Sequence, residues 1–296
     1  MDIQLLKNFY DVATVKSISK VATNSHISQS ALSQRILKLE QELGIPLLER
    51  SNKGVNLTEE GDLIIRHIKT MIRAYDRIVE DISSIKDGKS TFVVSSSSSA
   101  LDWIILRVLL SLKDINDQWF FKISTMPQEN AELELDKNLS DMALTYQRVE
   151  TDNINSTKIG SSELVFVANP NMDIGASISA KDLCKYPFIL LGDEPNIANL
   201  LNYALKPKGL DINDLEIVFT ANSVYMAKES IEKTEDISLL PRICVEEEIN
   251  KGTIKAFEVE DFSFKYDVFF SYNKNIYSRS KKIIDAFKRE GKSLLR

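Results

Sequence analysis

The first sixty residues contain two helical patterns joined by a short break, and this arrangement limits the fold more than any other feature of the chain. A first helix is predicted over residues 19–24, with Ser19 as its N-cap. A second helix is predicted to begin at Gln29 after the N-cap Ser28, because a serine oxygen accepts a backbone N–H that the first helical turn leaves without a partner. Residues 25–27 then form the link, and two helices joined so closely predict a helix-turn-helix.

The second helix has two faces. Leu32, Ile36 and Leu39 recur at spacings of four and three, so they form a stripe that faces a core. The other positions carry hydrogen-bonding or basic side chains, which reach base edges and phosphates when a helix lies in the major groove of DNA. These candidate DNA-binding residues are Ser28, Gln29, Ser30, Ser33, Gln34, Arg35 and Lys38. A polar face is also the usual property of a surface helix in a globular domain, so the helix alone does not decide between the two interpretations.

The motif that surrounds this helix is more specific. Its order and spacing closely resemble the LysR-type bacterial transcriptional regulators, at positions that include Phe9, Ser28-Gln29, Ser33, Ile36, Leu39-Glu40, Leu43-Gly44, Pro46-Leu47, Arg50 and Leu57-Thr58. The resemblance implies a winged helix-turn-helix over residues 1–57 that binds double-stranded promoter DNA. Two positions depart from the family pattern. Leu48 replaces the usual Phe, which predicts a core substitution, and Leu37 replaces a polar residue near the DNA-facing side.

The charge of the chain is divided unevenly. The net charge is −6, but residues 1–86 carry 12 Lys and Arg against 11 Asp and Glu, while the remainder carries 25 against 32. The N-terminal part therefore has only a small excess of positive charge. Attraction to DNA phosphates is expected to come from helix N-termini and from a few placed groups, namely Arg35, Lys38, Arg50 and Lys53.

A long helix is predicted over residues 58–86, capped by Thr58 and free of proline. Its apolar residues alternate at spacings of four and three, which is a heptad pattern formed by Ile64, Ile68, Met71, Tyr75, Ile78, Ile82 and Ile85. A helix of this length spans about 40 Å, more than the core of a small domain, so pairing of two chains explains the pattern better than burial within one chain. In the resembled family this linker helix, here residues 58–88, forms the dimer, and dimers commonly pair into tetramers.

After a hinge at residues 87–90 the pattern changes to alternating strands and helices, which continue to residue 296. The predicted strands are 92–95, 119–124 and 142–146, and the predicted helices are 100–112 and 129–139. Such units favour a mostly parallel sheet, whose ligand sites lie beyond the carboxyl ends of the strands. The predicted fold class is therefore α/β overall, with an N-terminal all-α winged helix-turn-helix and a long linker helix.

The resemblance implies that residues 89–296, which we call the sensor, form an effector-binding domain of two subdomains, similar to periplasmic binding proteins, with a small-molecule effector in the cleft. Subdomain I is expected at about 91–161 and 266–296 and subdomain II at about 162–265, with crossings near residues 161–164 and 262–266. Asn138 stands where the family usually has Gly, and it predicts a left-handed helix cap because Asn tolerates that conformation.

A run of serines at residues 95–99 is the most suggestive feature of this domain. It joins a predicted strand to a helix, and hydroxyls with free N–H groups at a helix N-terminus form an anion site, which favours a small carboxylate effector. The alternative is a flexible serine linker. With the positions that the resemblance adds, the candidate effector-binding residues are Ser98, Ser99, Thr125, Gln128, Tyr146, Asn222 and Ser223. The turn at residues 233–236 is expected to make the pocket edge acidic.

Composition and missing motifs exclude other classes. No stretch is apolar enough to cross a membrane, and the N-terminus lacks a signal-peptide layout, so a cytoplasmic protein is expected. Two cysteines and two histidines are too few for a disulfide framework or a histidine-rich metal site, so neither a metal nor a cofactor is expected. An enzyme is not expected, because the chain has no phosphate-binding glycine loop, no nucleophile elbow and no sensor histidine. RNA polymerase is a further candidate partner.

A redox-sensing regulator is the alternative function. Some members of the resembled family sense oxidants through cysteines, and this chain has Cys184 and Cys244 in its sensor. Buried, inert thiols are the commoner case, so small-molecule sensing is the favoured prediction.

Overall fold

The computed structural model describes residues 2–51, 54–112, 118–192 and 197–295. The chain forms two compact units, Met1–Gly88 and Lys89–Arg296. The α-helices are α1 (Ile3–Val15), α2 (Ile18–Asn24), α3 (Gln29–Leu43), α4 (Glu59–Lys86), α5 (Ser99–Leu112), α6 (Ala131–Asp136), α7 (Ile197–Leu205), α8 (Val224–Ile231), α9 (Arg242–Lys251) and α10 (Tyr277–Leu294). The strands are β1 (Leu48–Ser51), β2 (Gly54–Leu57), β3 (Ser90–Ser96), β4 (Trp119–Thr125), β5 (Met142–Thr145), β6 (Ile154–Ala168), β7 (Ser177–Ile178), β8 (Phe188–Leu191), β9 (Ile217–Ala221), β10 (Ile237–Pro241), β11 (Lys255–Val259) and β12 (Phe264–Asn273). Short 3-10 helices lie at Gln128–Asn130, Ala180–Lys185, Lys206–Lys208, Ile212–Asp214 and Lys274–Ile276.

The N-terminal unit packs its first three helices around one core, and the predicted stripe of α3 faces that core. Leu32, Ile36 and Leu39 are completely buried. The predicted cap of α3 is confirmed, because the Ala31 N–H donates to Ser28 Oγ at 3.1 Å. Periodicity and capping chemistry therefore placed this helix correctly.

The predicted cap of α2 is wrong. The helix begins at Ile18, and the Lys20 N–H donates to Ser17 Oγ at 3.3 Å. Ser17 has the extended backbone angles that an N-cap requires, whereas Ser19 already lies within the first turn. Either serine satisfies the sequence rule, so only the backbone conformation distinguishes them.

Strands β1 and β2 form an antiparallel hairpin, the wing of the predicted winged helix-turn-helix. Glu40, near the end of α3, fixes the start of the wing, since its Oε1 accepts hydrogen bonds from the N–H groups of Leu47 at 2.8 Å and Leu48 at 3.1 Å. Leu48 is buried in the N-terminal core, as expected for a substitution of the family's Phe.

The first turn of α4 packs closely on the chain that precedes the wing. Thr58 caps the helix by accepting a hydrogen bond from the Gly61 N–H at 2.9 Å and donates to the Pro46 carbonyl at 2.9 Å. A Cβ added at Gly61 would lie 2.2 Å from the carbonyl oxygen of Leu47. This approach of two backbones requires glycine at position 61.

Helix α4 matches the predicted length, and its apolar residues divide into two groups. Ile68 is buried in the N-terminal core, and Ile64, Ile65 and Ile72 pack against that core. The other large apolar residues are 43–76% exposed in the single chain, and they are Leu63, Met71, Tyr75, Ile78, Val79, Ile82 and Ile85. The second half of the helix thus carries an uncovered apolar surface.

The C-terminal unit contains a mixed sheet in the order β4-β3-β5-β12-β6-β10-β8-β9. Strand β3 runs parallel to β4 and β5, and β8 runs parallel to β9 and β10. Strands β6 and β12, which we call the crossover strands, pair antiparallel with each other and with the neighbours β10 and β5. The predicted parallel arrangement therefore holds within each half of the sheet but not at its centre.

The predicted helix at 129–139 is shorter in the structure. It consists of a 3-10 turn, Gln128–Asn130, followed by α6. Asn138 has a φ of 53°, and this left-handed residue ends the helical hydrogen bonding, as its replacement of the family's Gly predicted.

Two hydrophobic clusters lie along the sheet. One includes Phe92, Ile104 and Phe287 and packs α5 and α10 on the strands around β3. The other includes Phe188 and Leu239 and packs α7, α8 and α9 on the strands around β8. The carboxyl ends of β3 and β9 lead into α5 and α8, so these two helices begin at the sheet edge where ligand sites form.

Candidate nucleic-acid interface and ligand site

The polar face of α3 is exposed. Gln29, Ser30, Gln34 and Lys38 are exposed, and Ser33 and Arg35 are partly exposed. Within the described residues, Arg35 and Lys38 form no ion pair. Cations that the protein leaves uncompensated on one helix face are available to DNA phosphates.

Two other positions of this face behave differently from the rest. The Ser28 hydroxyl caps α3 and lies 3.0 Å from Ser30 Oγ. A substitution of Ser28 would therefore change both the stability of the helix and the predicted DNA contact. Leu37, the departure from the family pattern, has 41% of its surface exposed and adds an apolar group beside the polar ones.

Two further basic residues that follow α3 in the sequence, Arg50 and Lys53, are predicted to contact DNA phosphates. Arg50 lies in β1 opposite Val55, and only its backbone is described. Lys53 lies outside the described residues.

Sequence reasoning missed two basic residues at the junction of α1 and α2. Lys16 and Lys20 are exposed, and neither forms an ion pair among the residues that the structure describes. The Val55 N–H donates to the Lys16 carbonyl at 3.3 Å, so this junction lies against the wing. The flanking Ser17, which caps α2, was the available signal that a helix N-terminus begins here.

The serine run of the sensor is not a flexible linker. Ser95 and Ser96 belong to β3 and are completely buried. Ser95 Oγ lies 2.5 Å from Ser140 Oγ and 3.1 Å from Ser124 Oγ. These hydrogen bonds join three neighbouring segments, so the run is an ordered part of the core.

The last serines of the run lie at the carboxyl end of β3. Ser98 is completely buried, its Oγ lies 2.9 Å from the Tyr146 hydroxyl, and it accepts a hydrogen bond from the Leu101 N–H at 3.3 Å. Ser97 is 93% buried, and its hydroxyl has no hydrogen-bond partner within the described residues. A buried hydroxyl without a partner is costly unless a ligand or water bonds to it.

Ser99 connects this segment to the other half of the sensor. Its Oγ accepts a hydrogen bond at 3.2 Å from the N–H of Val224, the first residue of α8. Ser223 caps the same helix by accepting from the Met226 N–H at 3.3 Å. The N-termini of α5 and α8 therefore meet, and both contribute positive electrostatic potential at one place.

Of the remaining predicted effector-binding residues, one is hydrogen-bonded to Tyr146 and the other two are exposed. Gln128 is adjacent to the site, because its Oε1 accepts a hydrogen bond from the Tyr146 N–H at 3.0 Å. Thr125 and Asn222 are exposed at the ends of β4 and β9, and no hydrogen bond within the described residues joins their side chains to the others. We use the name serine site for six residues that these hydrogen bonds join or that lie next to the joined residues. They are Ser97, Ser98, Ser99, Gln128, Tyr146 and Ser223.

The acidic turn at residues 233–236 does not border this site, contrary to expectation. It precedes β10, which runs parallel to β8, so the turn lies at the amino-terminal edge of these strands. The serine site lies at the carboxyl-terminal edge, where β9 leads into Ser223. Sequence spacing could not reveal this, because strand direction decides which edge a turn occupies.

Two further properties concern the described part of the chain. Its residues include no group of three or more His, Cys, Asp or Glu side chains that could hold a metal ion. None of the helices in these ranges is both long and apolar enough to span a membrane.

Comparison with known proteins agrees with this architecture. The family described as LysR substrate binding domain matches residues 87–289, and the family described as bacterial regulatory helix-turn-helix protein, lysR family, matches residues 3–62. The chain is 23% identical over 275 residues to the probable RuBisCO transcriptional regulator of Porphyra purpurea, with 90% of this chain and 86% of the relative covered.

Solved structures share the complete fold. The LysR family transcriptional regulator CbnR has a TM-score of 0.71 at 16% identity, with 100% of both chains covered. Full-length CbnR complexed with its target DNA has a TM-score of 0.70 at 17% identity, with 99% of this chain and 100% of that chain covered. The two matched families together account for both units, and the chain belongs to the LysR family of DNA-binding transcriptional regulators.

Proposed function

We propose that this protein binds promoter DNA as a dimer through α3 and the wing, and that a small carboxylate held in the serine site changes this binding. The DNA-binding part rests on the exposed face of α3 with its uncompensated Arg35 and Lys38. The likeness to CbnR, which was solved with its target DNA, supports the same use of the fold. We also propose that the protein is cytoplasmic and that it contacts RNA polymerase.

The exposed apolar residues of α4 support dimer formation. Ile78, Ile82 and Ile85 are 58%, 50% and 76% exposed and repeat at heptad spacing. Pairing of two such helices removes these side chains from water and holds two DNA-binding units at a set distance, which suits a two-fold DNA site. Tetramers would form by association of two such dimers.

The meeting of two helix N-termini at Ser99 is the observation that carries the effector proposal. Val224 N–H bonds to Ser99 Oγ, so the positive ends of α5 and α8 lie together, and the Ser97 hydroxyl is buried there without a partner within the described residues. An anionic ligand gains both the dipole interaction and a hydrogen bond from the hydroxyl. A carboxylate is the smallest organic group with these properties.

The proposed regulation is a shift between two arrangements of the sensor. The two hydrophobic clusters support the proposed subdomains I and II, and the hydrogen bond between Ser99 and Val224 joins the start of α5 to the start of α8. A ligand that binds one arrangement more tightly increases its population, and the affinity for DNA changes by the same coupling free energy.

The test uses full-length protein and DNA from upstream of its own coding sequence, because members of this family commonly regulate their own gene. Fluorescence anisotropy measures the Kd for DNA with and without each member of a library of small carboxylates. One carboxylate is expected to change the Kd by at least about fivefold. Ser97→Ala is expected to remove that change and to leave DNA binding without ligand unaltered.

The matched control is Ser278→Ala, at an exposed serine of α10. It is expected to retain the full response. If no carboxylate changes DNA binding or raises the melting temperature of the protein, the serine site is not an effector site.

The redox alternative has less support. Cys244 is 2% exposed, and burial together with the charge of Asp214 raises the pKa of the Cys184 thiol. A raised pKa lowers the fraction of thiolate at neutral pH, and the thiolate is the form that oxidants attack. Cys184→Ser combined with Cys244→Ser is therefore expected to leave regulation intact. Loss of an oxidant response in this double variant would establish the redox function instead.

A further inference from the structure

A cavity of about 470 Å³ lies beside the crossover strands. Glu163 of β6 and Lys265 of β12 line it, and they are directly opposite each other in the antiparallel pair, so they point to the same face. Tyr266, the next residue along β12, points to the other face, where its ring lies 4.4 Å from that of Tyr146 in the serine site. The cavity and the serine site therefore lie on opposite faces of the crossover strands.

One part of the cavity wall carries available positive charge. Arg242 donates through Nε to Glu163 Oε2 at 2.6 Å, and within the described residues its two terminal nitrogens make no hydrogen bond. Lys265 forms no ion pair among these residues. Helix α9 begins at Arg242, and its N-cap Pro241 provides no side-chain hydrogen bond, so the positive end of the helix also lies here. Two guanidinium nitrogens side by side match the two oxygens of a carboxylate.

Another part of the wall carries available negative charge. Glu246 lines the cavity and has no ion-pair partner within the part of the chain that is described. Ser293 and Leu294 also line it, and they form the last turn of α10. The carbonyls of a last helical turn have no partner inside the helix and mark its negative end. An ammonium group carries three N–H donors and can donate to a carboxylate and to carbonyls together.

We propose that this cavity binds a small zwitterion of the amino-acid class. Arg242 and Lys265 hold its carboxylate, and Glu246 with the last carbonyls of α10 holds its ammonium group. A plain carboxylate would leave Glu246 without a bound cation, and a plain amine would leave the terminal nitrogens of Arg242 without a bound anion. The volume lies within the range of roughly 300–1,000 Å³ that is usual for small-molecule sites.

This site is placed to influence the sensor as a whole. Helix α9 packs in one hydrophobic cluster through Val245, and α10 packs in the other through Phe287. A ligand that touches both helices and both crossover strands favours the arrangement in which these elements lie at the right distance. Occupancy of the second site thereby adjusts the response to a ligand in the serine site.

The test is isothermal titration calorimetry of the full-length protein with each of the common L-amino acids. At least one is expected to bind, and Lys265→Gln and Glu246→Gln are each expected to weaken its binding by about tenfold to a hundredfold. The des-amino acid and the decarboxylated amine of the same compound are expected to bind at least about tenfold more weakly. Exposed residues elsewhere in the sensor provide matched controls, Lys282→Gln and Glu150→Gln, which are expected to bind normally.

Four results would overturn the proposal. They are the absence of binding by every amino acid, binding that is insensitive to both Lys265→Gln and Glu246→Gln, equal binding of the des-amino acid, and loss of binding in Ser97→Ala. The last result would assign the ligand to the serine site instead. Because Ser97→Ala tests one site and Lys265→Gln the other, failure of this proposal and failure of the proposed function are distinguishable.

Discussion

Most polar groups of α3, the proposed DNA-binding helix, are exposed to water, whereas those in the serine site are buried or partly buried. On α3, Lys38 is exposed and has no ion-pair partner within the described residues. In the serine site, Ser98 is completely buried and its Oγ lies 2.9 Å from the Tyr146 hydroxyl. DNA brings its own phosphates and base edges, so a DNA-binding face can remain unpaired in water. A small ligand must be enclosed, so most groups around its site need partners inside the protein. Ser97 is the exception, because its hydroxyl has no partner within the described residues, and we propose that the ligand lies beside it.

The largest effect is expected from placing charges on the apolar surface of α4. This surface belongs neither to the polar face of α3 nor to the serine site. Ile78→Asp combined with Ile82→Asp places charges where the proposed dimer removes both side chains from water. Each buried isoleucine contributes about 1.5–3 kcal/mol, and a dimer loses four, so the dimer Kd is expected to rise at least about a thousandfold. Sedimentation equilibrium measures the change. Ile78→Leu with Ile82→Leu is the control, and an Asp variant that stays dimeric would show that another surface joins the chains.

A smaller effect is expected within the N-terminal unit, where function depends on rigid packing beneath the exposed face. Gly61→Ala places a Cβ 2.2 Å from the Leu47 carbonyl oxygen, so α4 or the preceding chain must move. The free energy of unfolding of this unit is expected to fall by about 1–3 kcal/mol. Chemical denaturation compares it with Glu60→Ala, at the exposed neighbouring position. Equal stability of the two variants would contradict the close approach.

The interpretation of the exposed face can be sharpened by separating base contacts from phosphate contacts. Gln29→Ala and Ser33→Ala are each expected to weaken binding to the specific site by about 1–3 kcal/mol and to change binding to random DNA little. Lys38→Gln is expected to weaken both and to lower the salt dependence by about one unit of slope. Anisotropy titrations at several salt concentrations measure these effects. Equal losses on random DNA would make Gln29 and Ser33 phosphate contacts.

The smallest effect is expected from substitution of two buried serines in the same strand-to-helix segment. Ser95→Ala removes hydrogen bonds to Ser140 and Ser124 and is expected to destabilise the sensor by about 1–2 kcal/mol. Ser97→Ala removes a hydroxyl with no partner in the described residues, so no loss of stability is expected. Thermal denaturation without ligand measures both. If Ser97→Ala costs as much as Ser95→Ala, its hydroxyl has a structural role and the contrast between the two serines disappears.

Much of the N-terminal unit could be predicted from the sequence. The stripe of α3, its cap Ser28 and the extent of α4 were all correct, because helical periodicity and capping depend on residues within a few positions of one another. The error at α2 has the same origin. Ser17 and Ser19 are both suitable caps, and only the backbone conformation selects Ser17.

Patterns in the sequence predicted the alternation of strands and helices in the sensor and the family, and they singled out the serine run. The tertiary structure alone decided that Ser99 bonds to Val224, which is 125 residues away, and that Ser97 is buried without a partner in the described residues. It also decided that the turn at residues 233–236 lies at the far edge of the sheet. Local patterns depend on neighbours along the chain, whereas these contacts depend on strand order, strand direction and the face to which each side chain points.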